Sequence, residues 1–224
     1  MRATSFDPIW SEKYAQGLED RAPYDCIVSF VYHNLPPRER AEIRILEVGC
    51  GTGNNVWYLA LEGFDLSGID ASPEAISYAK RRLAEDNVKA DLRVGDFTQL
   101  PYPESTFDLV FDRGSLTHTG LSFAKKAVQE IHRVLVPGGK FFFNPYAADC
   151  TSAQSGQLLD DNLTVNIDAG TLTGCGGICF YDRARVEGLF PKPWQVESLA
   201  HLQLREFLGP TPSLHSEWLA VVRK

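Results

Sequence analysis

Three glycines at alternate positions, Gly49, Gly51 and Gly53, follow directly on the apolar run Ile45-Leu46-Glu47-Val48. A turn built this way brings bare backbone close to a ligand, because no Cβ stands in the way. Two carboxylates follow at intervals that suit a nucleoside. Asp70 closes the next apolar run, 17 residues after Gly53, where it can accept hydrogen bonds from a ribose diol. Asp96, in Gly95-Asp96-Phe97, can accept from an exocyclic amine, with Phe97 beside the ring. The glycine spacing is not that of a dinucleotide fingerprint, whose third glycine falls at Asn54, nor does Gly-Lys-Ser/Thr end the turn as in a phosphate-binding loop.

Further along, Arg113-Gly-Ser-Leu-Thr-His118 carries a cation and an imidazole. His118 is the candidate general base, against the alternative of a loop histidine donating to a backbone carbonyl. Arg113 could hold an acidic substrate or turn aside into an ion pair. Asn144-Pro145-Tyr146 reads as a strand-end turn with a secondary place in a substrate pocket wall. Of the five cysteines, Cys175 and Cys179 are spaced too loosely for zinc and have no second pair. No metal is expected, and the odd count argues against a disulfide framework.

These residues need a scaffold. The 224-residue chain suits one domain, with 44% hydrophobic residues and a formal charge of −7. That acidity weighs against a nucleic-acid partner, which usually needs a basic face. The N-terminus lacks the apolar stretch of a secretion signal, and no run is long enough for a bilayer, so a cytoplasmic protein is expected. Residues 1–40 read as a helical cap: Trp10, Tyr14 and Leu18 recur at helical spacing, as do Ile27, Phe30 and Val31. From residue 43 strands and helices alternate. Strands are expected over 43–48, 64–70, 91–94, 107–111 and 140–143. Ser72-Pro73-Glu74 marks a helix start. Ala124, Val128, Ile131 and Leu135 form one helical stripe, ended by Pro137-Gly138-Gly139. Such alternation predicts a parallel sheet with helices on both faces. Residues 145–180 are polar and aperiodic, and read as a lid or acceptor-binding stretch. A short helix over 183–189 and two late strands, 194–207 and 216–222, complete the chain.

The ordered set Glu-Val-Gly-Cys-Gly-Thr-Gly, Gly-Ile-Asp-Ala-Ser-Pro, Gly-Asp-Phe-x-x-Leu-Pro, Phe-Asp-Leu-Val-Phe-Asp and Arg-Val-Leu-x-Pro-Gly-Gly resembles the class I S-adenosylmethionine-dependent methyltransferases. The resemblance spans residues 42–144. It implies a Rossmann-like α/β fold with a seven-stranded, mostly parallel sheet and an antiparallel last strand. It also implies S-adenosyl-L-methionine as methyl donor and S-adenosyl-L-homocysteine as product. Carried onto this chain, Gly49, Gly51 and Gly53 pass the methionine part, and Glu47 holds the turn and favours the ammonium. Asp70 binds the ribose, Ala71 lies beside the adenine, and Asp96 and the Phe97 backbone reach the base. Asp112 and Arg113 border the methionine group. Tyr14, paired with Trp10, touches the donor's carboxylate, with core packing as the alternative. Arg113, His118, Asn144 and Tyr146 are left to face a small-molecule acceptor. A protein or RNA acceptor, or donor binding without catalysis, are the competing readings.

Overall fold

A computed structural model describes residues 5–208 and 212–224. Two helices come first, α1 (Ile9–Ala15) and α2 (Asp25–His33). Then β1 (Arg44–Val48), α3 (Asn54–Leu61), β2 (Asp65–Asp70), α4 (Pro73–Glu85), β3 (Asp91–Val94) and β4 (Phe107–Arg113) alternate. α5 (Leu121–Val134) leads into β5 (Leu135–Asn144). An insert follows, with α6 (Thr151–Ser155), β6 (Gln157–Leu158), β7 (Leu163–Val165) and β8 (Ile178–Cys179). α7 (Arg183–Gly188) precedes a hairpin of β9 (Gln195–Glu206) and β10 (Ser213–Arg223).

The main sheet has the order β3-β2-β1-β4-β5-β10-β9. β1 pairs in parallel with β2 and β4, and β10 runs antiparallel between β5 and β9. The chain therefore has the Rossmann-like class I methyltransferase fold. Side-chain alternation builds the two faces. Leu46, Val48, Phe141 and Phe143 pack toward α5 and α7, with Val128, Ile131, Phe190 and Trp194. Ile45, Phe111 and Phe142 pack toward α2, α3 and α4, with Val31, Leu59 and Ile76. Each fully buried side chain of this size contributes about 1.5–3 kcal/mol relative to exposure. Ser72 caps α4 by accepting from the Ala75 N–H, with Pro73 opening the first turn.

Two sequence expectations are corrected. The fifth helix ends at Val134, and Leu135, at φ −69 and ψ 141, already begins the strand. Pro137-Gly138-Gly139 lies within β5, where the register with β4 jumps from Phe107↔Leu135 to Leu109↔Lys140. The chain end satisfies this segment: Gly138 N–H donates to Lys224 O, and Lys224 N–H to Gly139 O. Residues 145–180 are also not aperiodic. They form a second sheet of order β6-β7-β8 over a small core of Cys150, Ile167, Leu172, Ile178 and Phe180. Strands of two or three residues are too short for alternation to show. The cysteines are free thiols. Among the described residues no helix is long and apolar enough to cross a membrane.

Candidate active site

The site lies at the carboxyl ends of β1, β2 and β4, as expected for an open parallel sheet. Gly49, Gly51 and Gly53 have φ of +68, +50 and +75, a left-handed region that favours glycine. Space demands glycine as well. A Cβ would lie 2.1 Å from Ser115 Cβ at Gly49, 2.9 Å from Tyr14 Oη at Gly51, and 2.8 Å from Ala79 Cβ at Gly53. Asp70 ties the turn to β2. Its Oδ2 accepts from the Gly51 N–H and its Oδ1 from the Ser72 N–H, each at 2.8 Å. Burial raises its pKa. Each oxygen keeps a second lone pair for a ligand hydroxyl.

Above the turn is a cleft of about 970 Å³, counted to its open mouth. The structure brings Tyr14, Glu47, Gly49, Gly51, Asp70, Ala71, Phe97, Arg113, His118 and Tyr146 together on its walls. Four expected residues stand elsewhere. Gly53 begins α3 and packs on Ala79. Asp96 is exposed outside the lining; Ser5 Oγ donates to it at 2.5 Å, and Thr98 N–H and Oγ1 each at 2.7 Å. Asp112 is buried behind the wall. It holds the loop after β4 by accepting from the Ser115 and Leu116 N–H groups, at 3.0 and 2.9 Å, and from Ser115 Oγ. Asn144 faces no acceptor either. Its Nδ2 donates to Glu217 Oε2 at 3.1 Å and Trp218 O at 2.8 Å, binding β5 to β10.

The electrostatics separate two regions. Glu47 is buried, and its Oε1 accepts from Asn55 Nδ2 at 2.7 Å, while Oε2 has no partner among the described residues. Burial, helped by the charges of Asp112 and Asp70, pushes its pKa well up. An unpaired carboxylate oxygen in such a place suits a cation. Across the cleft, His118 Nδ1 lies 3.3 Å from Gly177 O, and its ring meets the Trp10 edge at 4.6 Å. Burial lowers its pKa to about 4. With the proton on Nδ1, donated to Gly177 O, Nε2 is an acceptor. Arg113 Nη2 donates to Glu217 Oε1 at 3.0 Å, and the guanidinium lies 4.4 Å from the Tyr24 ring centre. Arg113 thus lines the cleft and is ion-paired at once.

Trp10, Tyr24 and Ser115 complete these walls, and Glu217 backs Arg113 outside the lining. Trp10 was visible through its spacing from Tyr14. Tyr24 and Ser115 carried no local signal, and Glu217 sits among ordinary alternating strand residues. The residues fit a donor of the class implied by the sequence: glycine backbone and an unpaired carboxylate for an amino acid, Asp70 for a diol, Ala71 and Phe97 for a base. No group of three metal-binding side chains occurs among the described residues.

Residues 45–139 match the family described as "Methyltransferase domain". Over 105 residues the chain is 32% identical to phosphoethanolamine N-methyltransferase 3 of Arabidopsis thaliana, covering 46% of this chain and 21% of that protein. Over 150 residues it is 30% identical to EEF1A lysine methyltransferase 4 of Bos taurus, covering 59% and 57%. The chain thus spans about a fifth of the first relative's length and somewhat over half of the second's. The crystal structure of an S-adenosylmethionine-dependent methyltransferase from Methanosarcina mazei superposes with a TM-score of 0.73 at 19% identity, over 91% of this chain and 98% of that one. Motifs, strand order and turn agree with these likenesses: residues 45–139 resemble a methyltransferase domain, and the sheet has the class I S-adenosylmethionine-dependent methyltransferase fold.

Proposed function

We propose that this protein transfers a methyl group from S-adenosyl-L-methionine to a small-molecule acceptor seated against Arg113, His118 and Tyr146, without a metal, leaving S-adenosyl-L-homocysteine. One observation carries the small-molecule reading. The acceptor side of the cleft is walled by the N-terminal cap, through Trp10 and Tyr24, as well as by the loop after β4 and by Tyr146. Arg113 is the cationic lining residue among those described, and Glu217 balances its charge. Neither arrangement suits a long acidic polymer.

When bound, the donor supplies a sulfonium-activated methyl, and the electron pair of the broken C–S bond returns to sulfur. The chain's own residues orient and exclude water, and positioning of this kind is worth roughly 7–11 kcal/mol in favourable cases. Glu47 holds the donor's ammonium and Asp70 its ribose. His118 is neutral near pH 7 and offers Nε2 to the proton an acceptor must lose. A base this weak suits an acceptor whose proton is already acidic, or an amine that sheds it after transfer.

Isotopically labelled S-adenosylmethionine, given with a cell extract, tests the reading. Label is expected in the low-molecular-mass fraction, and lost in the His118→Asn variant if the acceptor needs a base. Label confined to protein or RNA overturns it. Calorimetric titration checks the donor separately, with S-adenosylhomocysteine binding and NAD not binding.

A further inference from the structure

β9 ends the main sheet with an uncovered edge. Its twelve residues are exposed apart from the half-buried Leu199. Edges of such length are usually blunted by proline, lysine or a bulge. The strand's register shift against β10 falls at Glu197, at its beginning; the central stretch Ser198-Leu199-Ala200-His201-Leu202-Gln203-Leu204 contains neither proline nor lysine and pairs with β10 in continuous register. One face of it is apolar. Leu202 and Leu204 are 52% and 68% exposed and share that face with Ala200.

The backbone at this edge is open in a regular way. The Trp218 N–H donates to Pro145 O, on the side of β10 away from β9. Trp218 and its register partner His201 therefore form a non-hydrogen-bonded pair. His201 turns its own N–H and C=O outward, and alternation places those of Leu199, Gln203 and Arg205 outward too. The charges are arranged symmetrically about the same residue. Glu197 and Arg205 lie four positions either side of His201. Glu197 bridges Lys140 and Arg223, at 2.7 and 2.8 Å. Arg205 has no ion pair among the described residues.

We propose that β9 pairs antiparallel with β9 of a second copy about a twofold axis at His201, joining two seven-stranded sheets into one. In this register Leu199 opposes Gln203, Ala200 opposes Leu202, and Glu197 opposes Arg205. The outward N–H and C=O groups meet their counterparts, and the leucine faces join across the axis. Symmetry makes the Glu197–Arg205 pair twice. A register shifted to an axis at Ala200 sets Arg205 against the uncharged Gln195 and forfeits both ion pairs. The occupant is thus a second copy of this chain. The inference stands independently of the proposed reaction, because no β9 residue lines the cleft.

Light scattering and sedimentation of the full chain test it, with the expected mass twice 24.9 kDa at high concentration. Arg205→Glu should weaken the dimer at least tenfold, while Arg205→Lys retains it. In the unmodified protein, the amides of Leu199, His201 and Gln203 should exchange slowly when concentrated and quickly when dilute. A monomer at every concentration overturns the proposal. So does a dimer indifferent to Arg205→Glu whose β9 amides exchange freely, since its contact lies elsewhere, and so does protection that needs a different protein.

Discussion

The acids and the imidazole around the cleft do distinct jobs, and their titration tells them apart. Asp70 spends one lone pair of each oxygen on the glycine turn and α4. Asp70→Asn keeps the shape but replaces one acceptor with a donor. Affinity for S-adenosylhomocysteine should fall by about 1.5–3 kcal/mol in titration calorimetry, the range of a hydrogen bond to a charged group. Unchanged affinity would leave Asp70 as a tether only. His118 and Asp112 make opposite contributions to stability. His118 titrates at 6.5 when unfolded and at about 4 when folded. Its contribution is full above 6.5 and is lost as the pH falls toward 4. Asp112 is raised from 3.8 to about 6 by burial, so its contribution is full below 3.8 and is lost as the pH climbs to 6. Between about pH 4 and 6 the two oppose. Relative to the unmodified protein, His118→Asn should lose stability as pH rises through that window, and Asp112→Asn should gain it. Urea midpoints at about pH 4 and pH 6.5 check both signs. Gly49, Gly51, Glu47 and Asp70 were legible as cleft-lining residues because one short segment places them, whereas Gly53 falls into α3. Asp96 was not, because Ser5, 91 positions away, joins the neighbouring Thr98 in drawing its carboxylate aside.

Between residue and molecule, the strand–turn–helix unit around β1 sets the tolerance of the site. Gly49→Ala would drive a methyl into Ser115 Cβ, which is fixed to the loop after β4. Added to the left-handed φ, this should cost about 3 kcal/mol or more, read from thermal or urea unfolding. Gly51→Ala meets the tip of Tyr14, which can swing. That variant should keep most of its stability and lose product affinity, so comparing the two separates fold from site. Ser72→Ala removes the α4 cap together with the Ser11 anchor, and should cost about 1 kcal/mol in unfolding. Elements of this kind were readable in advance. β1 and β4 are mostly apolar and β2 closes on Asp70, and α4 carries its cap in plain view. Leu135 was misplaced because it continues the α5 stripe while its backbone has already turned extended. The insert strands were missed because two residues show no alternation.

At the scale of the whole molecule, the cleft closes through contacts that no local pattern records. α1 buries none of its residues. Polar anchors hold this first part of the cap instead, while α2 is buried in the core. Asp7 Oδ2 accepts from the Gly177 N–H at 3.1 Å, across 170 positions of sequence. Ser11 Oγ donates to Ser72 Oγ at 3.0 Å, and Arg82 Nη2 donates to Asp20 O at 2.5 Å. Asp7 also caps α1 by accepting from the Ile9 N–H at 3.1 Å. It therefore joins the cap to the insert at Gly177, whose carbonyl accepts the hydrogen bond from His118 Nδ1. Segments fixed by few contacts open at low free energy, and a donor of this size needs such an opening to enter. Asp7→Ala should release the cap while sparing the two sheet cores, which it does not touch. Limited proteolysis should then cut faster between residues 5 and 24, with global unfolding changed little. S-adenosylhomocysteine should slow cutting in the unmodified protein more than in the variant, because product seated under Tyr14 and Trp10 stabilises the closed cap. Equal cutting rates would show that the Trp10–His118 contact and the Ser11 and Asp20 anchors suffice, and that Asp7 serves α1 alone.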